Sequence, residues 1–496
     1  MKKTAALVLM LVCMMLAQSA LALTVAGLET ETVGREWEQN LFFSRMEALT
    51  GVSVQAHGNE KKEYAKLLEQ IKGGKVEGSM PEVLFKAELS REDERAMLDS
   101  GALIDLAPLI DAHMPNLSAL LAEHPAWKEI ITLEDGRIAS LPLINEKERQ
   151  VLVWINRAWL DLLGVEMPGT IDELTSALIR IKDGDPNKNG KADEVAADLV
   201  GVYELRWLLP YFGVVADDYH LARDGEGKLV FAPELPAYRE FIAKMREWYE
   251  LGVLPAEAFT AAHGSAVLSE RDEKAPLTNG MLVSVTPYTH VPANNVLDYA
   301  PLLLAGPDGT VRWRDLLGEV WPGCFAVTSA CADPAQALAW ADALYDEENM
   351  VLAFAGVEGE DYSITEAGHW KFILDGGRDI SGIRRDVLMY TGAAMPGLYP
   401  ADFVHQVDSE IDRHVFAASE QARAVSERVT QPYCLTAENQ QRANALAAEI
   451  GRLVDSGIGR FVTGEKELSD ETYGAWIAQL QAAGSAELTA LFAQAE

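Results

Sequence analysis

Residues 185–194 have the residue types and spacing of a cation-binding loop. Side-chain oxygens recur at positions 1, 3, 5 and 9 of this segment, in Asp185, Asn187, Asn189 and Asp193. Gly190 at position 6 permits the sharp turn of an EF-hand-like loop, and Lys191 would contribute its backbone carbonyl. Position 12 is Ala196, so Glu194 at position 10 would supply the last carboxylate. The pattern predicts a structural Ca²⁺ site; the alternative is a polar turn after a helix.

The sequence lacks the short motifs that mark most catalytic nucleophiles and zinc sites. Gly-x-Ser-x-Gly and His-Glu-x-x-His do not occur, and no cysteine belongs to a Cys-x-x-Cys pair. Beyond the amino-terminal segment the cysteines are Cys324, Cys331 and Cys434. This sparse, odd set forms no disulfide framework, although one bridge is possible. We therefore expect no enzymatic activity.

Short apolar runs alternate with amphipathic helical patterns along the first part of the chain. A strand at 23–27, a helix at 36–50 and a strand at 52–54 form a β-α-β opening. The alternation continues through further helices and strands at 62–72, 81–85, 91–100 and 136–142. This pattern predicts an α/β fold with a mainly parallel sheet.

A second series of elements starts near Val151. A strand is predicted at 151–155, and a helix opens at Thr170, where Glu173 completes a capping box. The apolar stripe of that helix is Leu174, Leu178 and Ile181, and a later helix is marked by Tyr238, Phe241, Met245 and Trp248. The length suits two α/β lobes better than a string of independent modules.

The amino-terminal segment predicts export. Met1-Lys2-Lys3 is followed by an apolar run and by the small-x-small triplet 20–22, so residues 1–22 read as a signal peptide. The run is shorter than the roughly 20 apolar residues that span a bilayer. Cys13 follows Val12 where lipid attachment needs a small residue, which favours a soluble periplasmic or extracellular protein. The formal net charge of −34 disfavours nucleic acid and anionic membranes as partners.

Read in order, the segments resemble the family 1 extracellular solute-binding proteins of ABC importers, closest to the alginate-oligosaccharide-binding members. The resemblance runs over nearly the whole mature chain. Its clearest marks are GALIDLAP at 101–108, DGRIASLP at 135–142, WINRAWL at 154–160, the 185–194 loop and WYELGVLP at 248–255. Each segment is weak alone, but their order and spacing are specific.

The resemblance implies a type 2 periplasmic-binding fold, in which two lobes joined by a hinge close on ligand. We expect crossings near 145–151, 296–299 and 333. Lobe one would comprise 23–149 and 298–333, and lobe two 150–297 and 334–496. The implied function is that a monomer captures a carbohydrate in the cleft between the lobes and delivers it to the membrane subunits of an importer. Among carbohydrates, the resemblance favours an oligosaccharide. In the alginate-binding relatives the matching loop holds a structural calcium.

Sugar binding requires flat apolar faces for the rings and planar polar groups for the hydroxyls. Loops after the carboxyl ends of parallel strands face the crevice in such folds, so residues just after the predicted strands are the candidates. Those of lobe one are Glu31, Glu88, Asn145, Glu146 and Trp321. Those of lobe two are Glu204, Arg206, Trp207 and Tyr288, with Tyr399 as a further aromatic.

Two other functions remain open from the residues. A secreted calcium-dependent carbohydrate-active enzyme would also use paired carboxylates and aromatic side chains, although no pair is singled out by its sequence context. A sensor protein that presents ligand to a membrane receptor would have the same sequence features. Ligand titration with a product assay separates a binding protein from an enzyme.

Overall fold

The computed structural model describes residues 22–259, 279–315, 318–390, 395–431 and 435–495. Nearly all of the predicted signal peptide, with Cys13, and also Cys434 lie outside these ranges. The described strands are β1 Leu23–Leu28, β2 Val54–Asn59, β3 Val83–Phe85, β4 Leu141–Ile144, β5 Leu152–Asn156, β6 Val195–Asp198, β7 Leu221–Arg223, β8 Leu229–Phe231, β9 Asn279–Ser284, β10 Tyr299–Pro301, β11 Trp313–Arg314, β12 Val320–Val327, β13 Tyr362–Ile364, β14 Trp370–Phe372, β15 Gly397–Leu398 and β16 Ser426–Glu427.

The described helices comprise α-helices and 3₁₀ helices. The described α-helices are α1 Leu41–Thr50, α2 Lys61–Lys72, α3 Arg91–Asp99, α4 Ala107–His113, α5 Pro115–Glu123, α6 Pro125–Ile131, α7 Arg157–Leu163, α8 Ile171–Lys182, α9 Pro236–Glu250, α10 Pro334–Asp342, α11 Glu347–Phe354, α12 Ile380–Asp386, α13 Ala401–Val404, α14 Glu410–Arg423, α15 Ala437–Val462, α16 Asp470–Ala482 and α17 Ser485–Ala493. The described 3₁₀ helices are Trp37–Gln39, Val202–Phe212, Ala232–Glu234, Ala256–Phe259, Pro287–Thr289, Ala293–Asp298 and Ala343–Tyr345. Within the described ranges, every helix is too short or too polar to span a bilayer.

Local sequence signals explain several of these boundaries. The Thr170 side chain accepts a hydrogen bond from the Glu173 backbone N–H at 3.3 Å, so Thr170 caps α8 as predicted. The predicted capping box is not completed, because the Glu173 carboxylate accepts instead from the Gly169 backbone N–H at 2.8 Å. The predicted stripe of α8 is fully buried. Helix α1 ends at Gly51, whose φ of 73° suits a residue without a Cβ. The sequence therefore predicts the buried stripe of α8 and the residue that caps its first turn.

The chain divides into two compact units. Unit 1 comprises the chain up to Glu146 and returns for Glu319–Asp408; unit 2 comprises Lys147–Gly318 and Ser409–Glu496. The first boundary falls inside the expected 145–151 crossing. The other two fall at 318/319 and 408/409 rather than near 296–299 and 333.

Long-range pairing explains why these boundaries differ from the expected ones. Residues 298–318 lie in unit 2, where β10 pairs with β5. Residues 334–408 lie in unit 1, because α10 packs against α4 and β15 pairs with β4. The expected lobes differ, since the sequence predicts residues 298–318 in lobe one and residues 334–408 in lobe two.

Unit 1 is built on a six-stranded sheet in the order β15-β4-β12-β3-β1-β2. The pairs β1–β2, β1–β3 and β15–β4 are parallel, and β12 runs antiparallel between β3 and β4. One face buries an aromatic cluster in which the Trp340 ring lies 5.5 Å from Phe85 and 6.3 Å from Phe42, centroid to centroid. This arrangement brings the ends of β1, β3 and β4 and the start of β12 to one edge.

Unit 2 contains a four-stranded sheet in the order β10-β5-β9-β6. Strands β6 and β9 are parallel, whereas β5 is antiparallel to both β9 and β10. The four residues that marked the helix at 236–250 are fully buried, and Trp248 donates its indole N–H to Thr175 Oγ1 at 2.8 Å. The predicted α/β class is confirmed; its mainly parallel sheet describes unit 1, while antiparallel pairs dominate in unit 2.

Candidate ligand-binding site

Two tyrosines follow neighbouring parallel strands of unit 2. Tyr203 comes after β6 and Tyr288 comes after β9, and the pairing of these strands in parallel brings their carboxyl ends to one edge of the sheet. Tyr203 is 46% exposed and Tyr288 is 43% exposed. All other aromatic side chains that the structure describes are buried or half-buried. Exposed aromatic rings at this edge are suited to stack on a sugar ring.

Tyr288 is predicted from the sequence as a ligand contact, whereas Tyr203 is not. The segment after β6 forms the 3₁₀ helix Val202–Phe212, and Tyr203 occupies its first turn. Its neighbour Glu204 was proposed as a ligand contact. The Glu204 carboxylate is buried and accepts a hydrogen bond from the Val200 backbone N–H at 2.6 Å. Burial raises the pKa of Glu204 to about 7. Glu204 therefore closes the turn that presents Tyr203.

Arg206 is engaged inside unit 2. Its Nη1 lies 3.2 Å from His220 Nδ1, and its Nε lies 3.5 Å from Asp455 Oδ1. His220 is buried, and burial together with the positive charges of Arg206 and Arg314 lowers its pKa to about 3. The Arg206 guanidinium thus ties the 3₁₀ helix to the turn before β7 and to helix α15.

Trp207 is half-buried and stacked. Its ring centroid lies 6.1 Å from that of Trp313 at an interplanar angle of 26°, and the Arg314 guanidinium lies 5.1 Å above the Trp207 ring. Arg314 also forms an ion pair with Asp218 at 2.5 Å. The Trp207 ring, a predicted ligand contact, is thus packed against Trp313 and Arg314 within unit 2.

The candidates of unit 1 gather at the edge where β1, β3 and β4 end and β12 begins. Glu88 and Glu146 are exposed there, Trp321 is half-buried on β12, and Asn145 is buried. The Asn145 backbone N–H donates to the Glu319 carbonyl at 2.8 Å. The Glu31 carboxylate, by contrast, forms an ion pair with Arg384 at 2.7 Å.

Tyr399 follows β15 at the same edge and is buried among aromatic rings. Its ring packs edge-on to Phe354 at 5.1 Å, and Phe354 in turn stacks on Tyr390 at 3.9 Å. The Tyr399 backbone N–H donates to the Ile144 carbonyl at 2.8 Å. This ring therefore supports the edge of the sheet.

A buried polar cluster beneath the unit 1 edge was not predicted. Glu29 Oε2 accepts the Trp37 indole N–H at 2.6 Å and lies 3.5 Å from Arg35 Nη1. Lys86 is fully buried with a φ of 53°, and its ammonium donates to the Met389 carbonyl at 3.4 Å. Burial lowers the pKa of Lys86 to about 8. In the sequence, the one signal for Lys86 is its position directly after strand β3 and close to Glu88, a predicted ligand contact.

The 185–194 segment forms the tight turn expected of a cation-binding loop. Asp185 accepts hydrogen bonds from the backbone N–H groups of Asn189 and Gly190, both at 3.0 Å. Asn187 and Asn189 accept from the backbone in turn, and the Asn189 amide donates to both Asp193 oxygens at 3.0 and 3.1 Å. These side-chain bonds lower the pKa of Asp193. Gly190 has a φ of 74°, as the turn requires.

The environment of Glu194 indicates whether the residues of the 185–194 loop suit a cation. It is buried at 7% exposure, and neither carboxylate oxygen has a hydrogen-bond partner. A buried carboxylate without a partner is costly, and a divalent cation would satisfy it. In the described part of the chain no group of three His, Cys, Asp or Glu side chains is arranged to hold a metal. A cation in this loop would therefore need oxygen ligands from the Asn187 and Asn189 side chains and from the Lys191 carbonyl, in addition to the carboxylates.

A sequence relative supports the resemblance. The chain is 30% identical over 335 residues to the fructooligosaccharide ABC transporter substrate-binding protein FusA of Streptococcus pneumoniae. The match covers 65% of this chain and 61% of the relative, so it spans less than two thirds of that protein. No family model matches the chain.

Solved structures of solute-binding proteins share the fold over nearly the whole chain. FusA of S. pneumoniae in complex with kestose superposes with a TM-score of 0.71 at 22% identity, covering 95% of this chain and 98% of FusA. An extracellular solute-binding protein of Bifidobacterium longum subsp. infantis gives 0.78 at 20% identity, covering 96% and 98%. The alginate-binding protein AlgQ2 gives 0.64 at 18% identity, with the same coverage. The chain is therefore similar in sequence to an ABC transporter substrate-binding protein, and it shares its fold with solved structures of solute-binding proteins.

Proposed function

We propose that this protein binds an oligosaccharide outside the cytoplasm, as a monomer and without catalysis, and delivers it to the membrane subunits of an ABC importer. The observation that carries the proposal is the pair of exposed rings, Tyr203 and Tyr288, at the edge where β6 and β9 end. Exposing part of an aromatic ring to water is unfavourable, and stacking on a sugar would bury the exposed part of each ring.

The names of the matched proteins support a carbohydrate ligand. FusA is described as a fructooligosaccharide-binding protein and AlgQ2 as alginate-binding. We propose a fructooligosaccharide as the first ligand to test, because FusA is the relative matched in sequence. The half-buried Trp321 and the exposed Glu88 and Glu146 are proposed contacts of unit 1 for rings and hydroxyls.

A thermal-shift panel of kestose, fructo-nystose and an alginate oligosaccharide tests this function. A ligand that binds only the folded chain raises the melting temperature with concentration by mass action. Incubation of each sugar with catalytic amounts of the protein, followed by chromatography, separates binding from catalysis. A melting shift without product formation supports the proposal; product formation contradicts it.

We also propose that the 185–194 loop holds one Ca²⁺ ion with a structural role. The buried Glu194 carboxylate without a hydrogen-bond partner supports this site. One of the similar solved structures is an EF-hand mutant of FusA, so a loop of this type exists in a relative. Asp185, Asn187, Asn189, Asp193 and Glu194 would hold the ion with the Lys191 carbonyl.

A further inference from the structure

The Tyr203 ring lies directly against the backbone of Gly201. A Cβ placed on Gly201 would lie 3.0 Å from Tyr203 Cε1 and 3.1 Å from Cδ1, which is nearer than ordinary van der Waals contact. Any side chain at position 201 would therefore push the ring away. The ring rests on this backbone while 46% of the residue stays exposed.

Gly201 is not required by its backbone conformation. Its φ of −174° and ψ of 170° are extended values that an L-residue adopts. Gly190 and Gly213, by contrast, have φ of 74° and 77°, which the backbone of an L-residue rarely adopts. The absence of a side chain at 201 is thus explained by the Tyr203 ring and not by the turn.

Glu204 stabilises the turn that contains Gly201 and Tyr203 by hydrogen bonds to residues 200 and 201. Its carboxylate accepts the Val200 N–H at 2.6 Å, and its own backbone N–H donates to the Gly201 carbonyl at 3.0 Å. These two bonds bracket the segment from 200 to 204, so Gly201 and Tyr203 have fixed positions relative to each other. A ring held before the ligand arrives loses less conformational entropy on binding.

We propose that Gly201 and Glu204 are positioning residues that hold the Tyr203 ring as a preformed platform for a sugar ring. This inference rests on the proposed function. It goes beyond that function because it assigns a role in affinity to a glycine that has no side chain to contact the ligand.

The test is isothermal titration of the full chain with kestose, fructo-nystose and an alginate oligosaccharide. Tyr203→Ala should weaken binding by about tenfold, as expected for an aromatic anchor. Gly201→Ala should weaken binding by about threefold or more, because a platform shifted by a few tenths of an ångström loses contact. Its melting temperature should stay equal or rise, since alanine restricts the unfolded chain.

The double variant distinguishes positioning from a general structural effect. In a Tyr203→Ala background, Gly201→Ala should change the affinity by less than about 1.5-fold, because residues that act through one ring are not additive. Glu204→Gln keeps an oxygen that accepts from Val200 and should retain most of the affinity, whereas Glu204→Ala should lose it. Gly225→Ala is the matched control in unit 2, since a Cβ there meets no atom within 4 Å.

The outcomes separate this inference from the proposed function. If the parent protein binds none of the three sugars, the proposed function fails and this inference fails with it. If the parent binds and Tyr203→Ala weakens binding but Gly201→Ala does not, only the positioning role is overturned. Equal effects of Gly201→Ala with and without Tyr203 would also overturn it.

Discussion

The Gly190 backbone N–H donates to Asp185 Oδ2 at 3.0 Å, which closes the 185–194 turn across five residues. The bond holds the Asp185 carboxylate, the first proposed calcium ligand of the loop, against the turn. Asp193 and the buried Glu194 add two more negative charges to the same short segment. Like charges in one short segment repel each other, and a bound cation would offset that repulsion.

Chelation should therefore destabilise the protein. At a free calcium concentration of 100 times Kd, binding stabilises the folded state by about 2.7 kcal/mol, which EGTA should remove. The melting temperature in calcium should exceed that in EGTA, and magnesium should restore little of the difference because it prefers a smaller octahedral shell. Scanning calorimetry measures the shift.

Glu194→Gln is the most informative variant of the calcium loop. It should abolish the calcium response, and it should be more stable than the parent in EGTA because it removes a buried charge. Asp183→Asn, two residues before the loop, is the matched control and should keep the response. Identical melting of the parent with calcium and with EGTA would refute the site.

His220 should make the protein sensitive to acid. Its pKa is about 3 in the folded chain, against an ordinary 6.5. The folded state therefore binds fewer protons than the unfolded state, so the stabilisation is complete above pH 6.5 and is lost as the pH falls towards 3. Between pH 7 and pH 5 the free energy of unfolding should fall by about 2 kcal/mol from this group.

The variant His220→Asn tests this pH dependence. Asparagine does not titrate and tolerates the left-handed φ of 60° at this position. Urea denaturation from pH 7 to pH 5 should show a smaller loss of stability for the variant than for the parent. Parallel curves for the two proteins would show that His220 does not titrate as described.

Two glycines of α15 should respond in opposite ways to alanine. A Cβ on Gly457 would lie 2.1 Å from the indole nitrogen of the buried Trp476, so Gly457→Ala should cost about 1–3 kcal/mol of stability. A Cβ on Gly451 would lie 3.6 Å from His220 Nε2, an ordinary contact. Gly451→Ala should stabilise the helix by about 0.5–1 kcal/mol.

The two alanine variants are compared by urea denaturation at neutral pH. Equal m-values would show that the variants differ from the parent in stability and not in the compactness of either state. If Gly457→Ala is as stable as Gly451→Ala, Trp476 does not pack against α15 at this glycine.

Local elements were predictable from the sequence because their signals are local. The cap at Thr170 and the stripe of Leu174, Leu178 and Ile181 follow from spacing alone, and the 185–194 loop was recognised from alternating oxygens. The role of Arg206 was not predictable, because Asp455 and His220 come close to it only in the folded unit. The boundaries of the units depend on strand pairs such as β10–β5, whose partners are far apart in sequence.

Tyr203 was missed because its surroundings follow no regular period. The segment Val202–Phe212 is a long 3₁₀ helix with Pro210 inside it, so neither a helical nor a strand pattern indicates which side chains are exposed. The sequence favours the larger Trp207, whose ring is half-buried and packed against Trp313 and Arg314. The exposed tyrosine four residues earlier could be identified only from the structure.

The most direct test of the account is titration of the parent protein and of a Tyr203→Ala/Tyr288→Ala variant with kestose by isothermal calorimetry. The parent should bind one equivalent without turnover. The variant should lose little melting temperature, since Tyr203 is 46% exposed and Tyr288 is 43% exposed. It should bind at least about a hundredfold more weakly if each ring contributes about 1.4 kcal/mol. Equal affinity of the two proteins for kestose would contradict the placement of the sugar at the edge where β6 and β9 end.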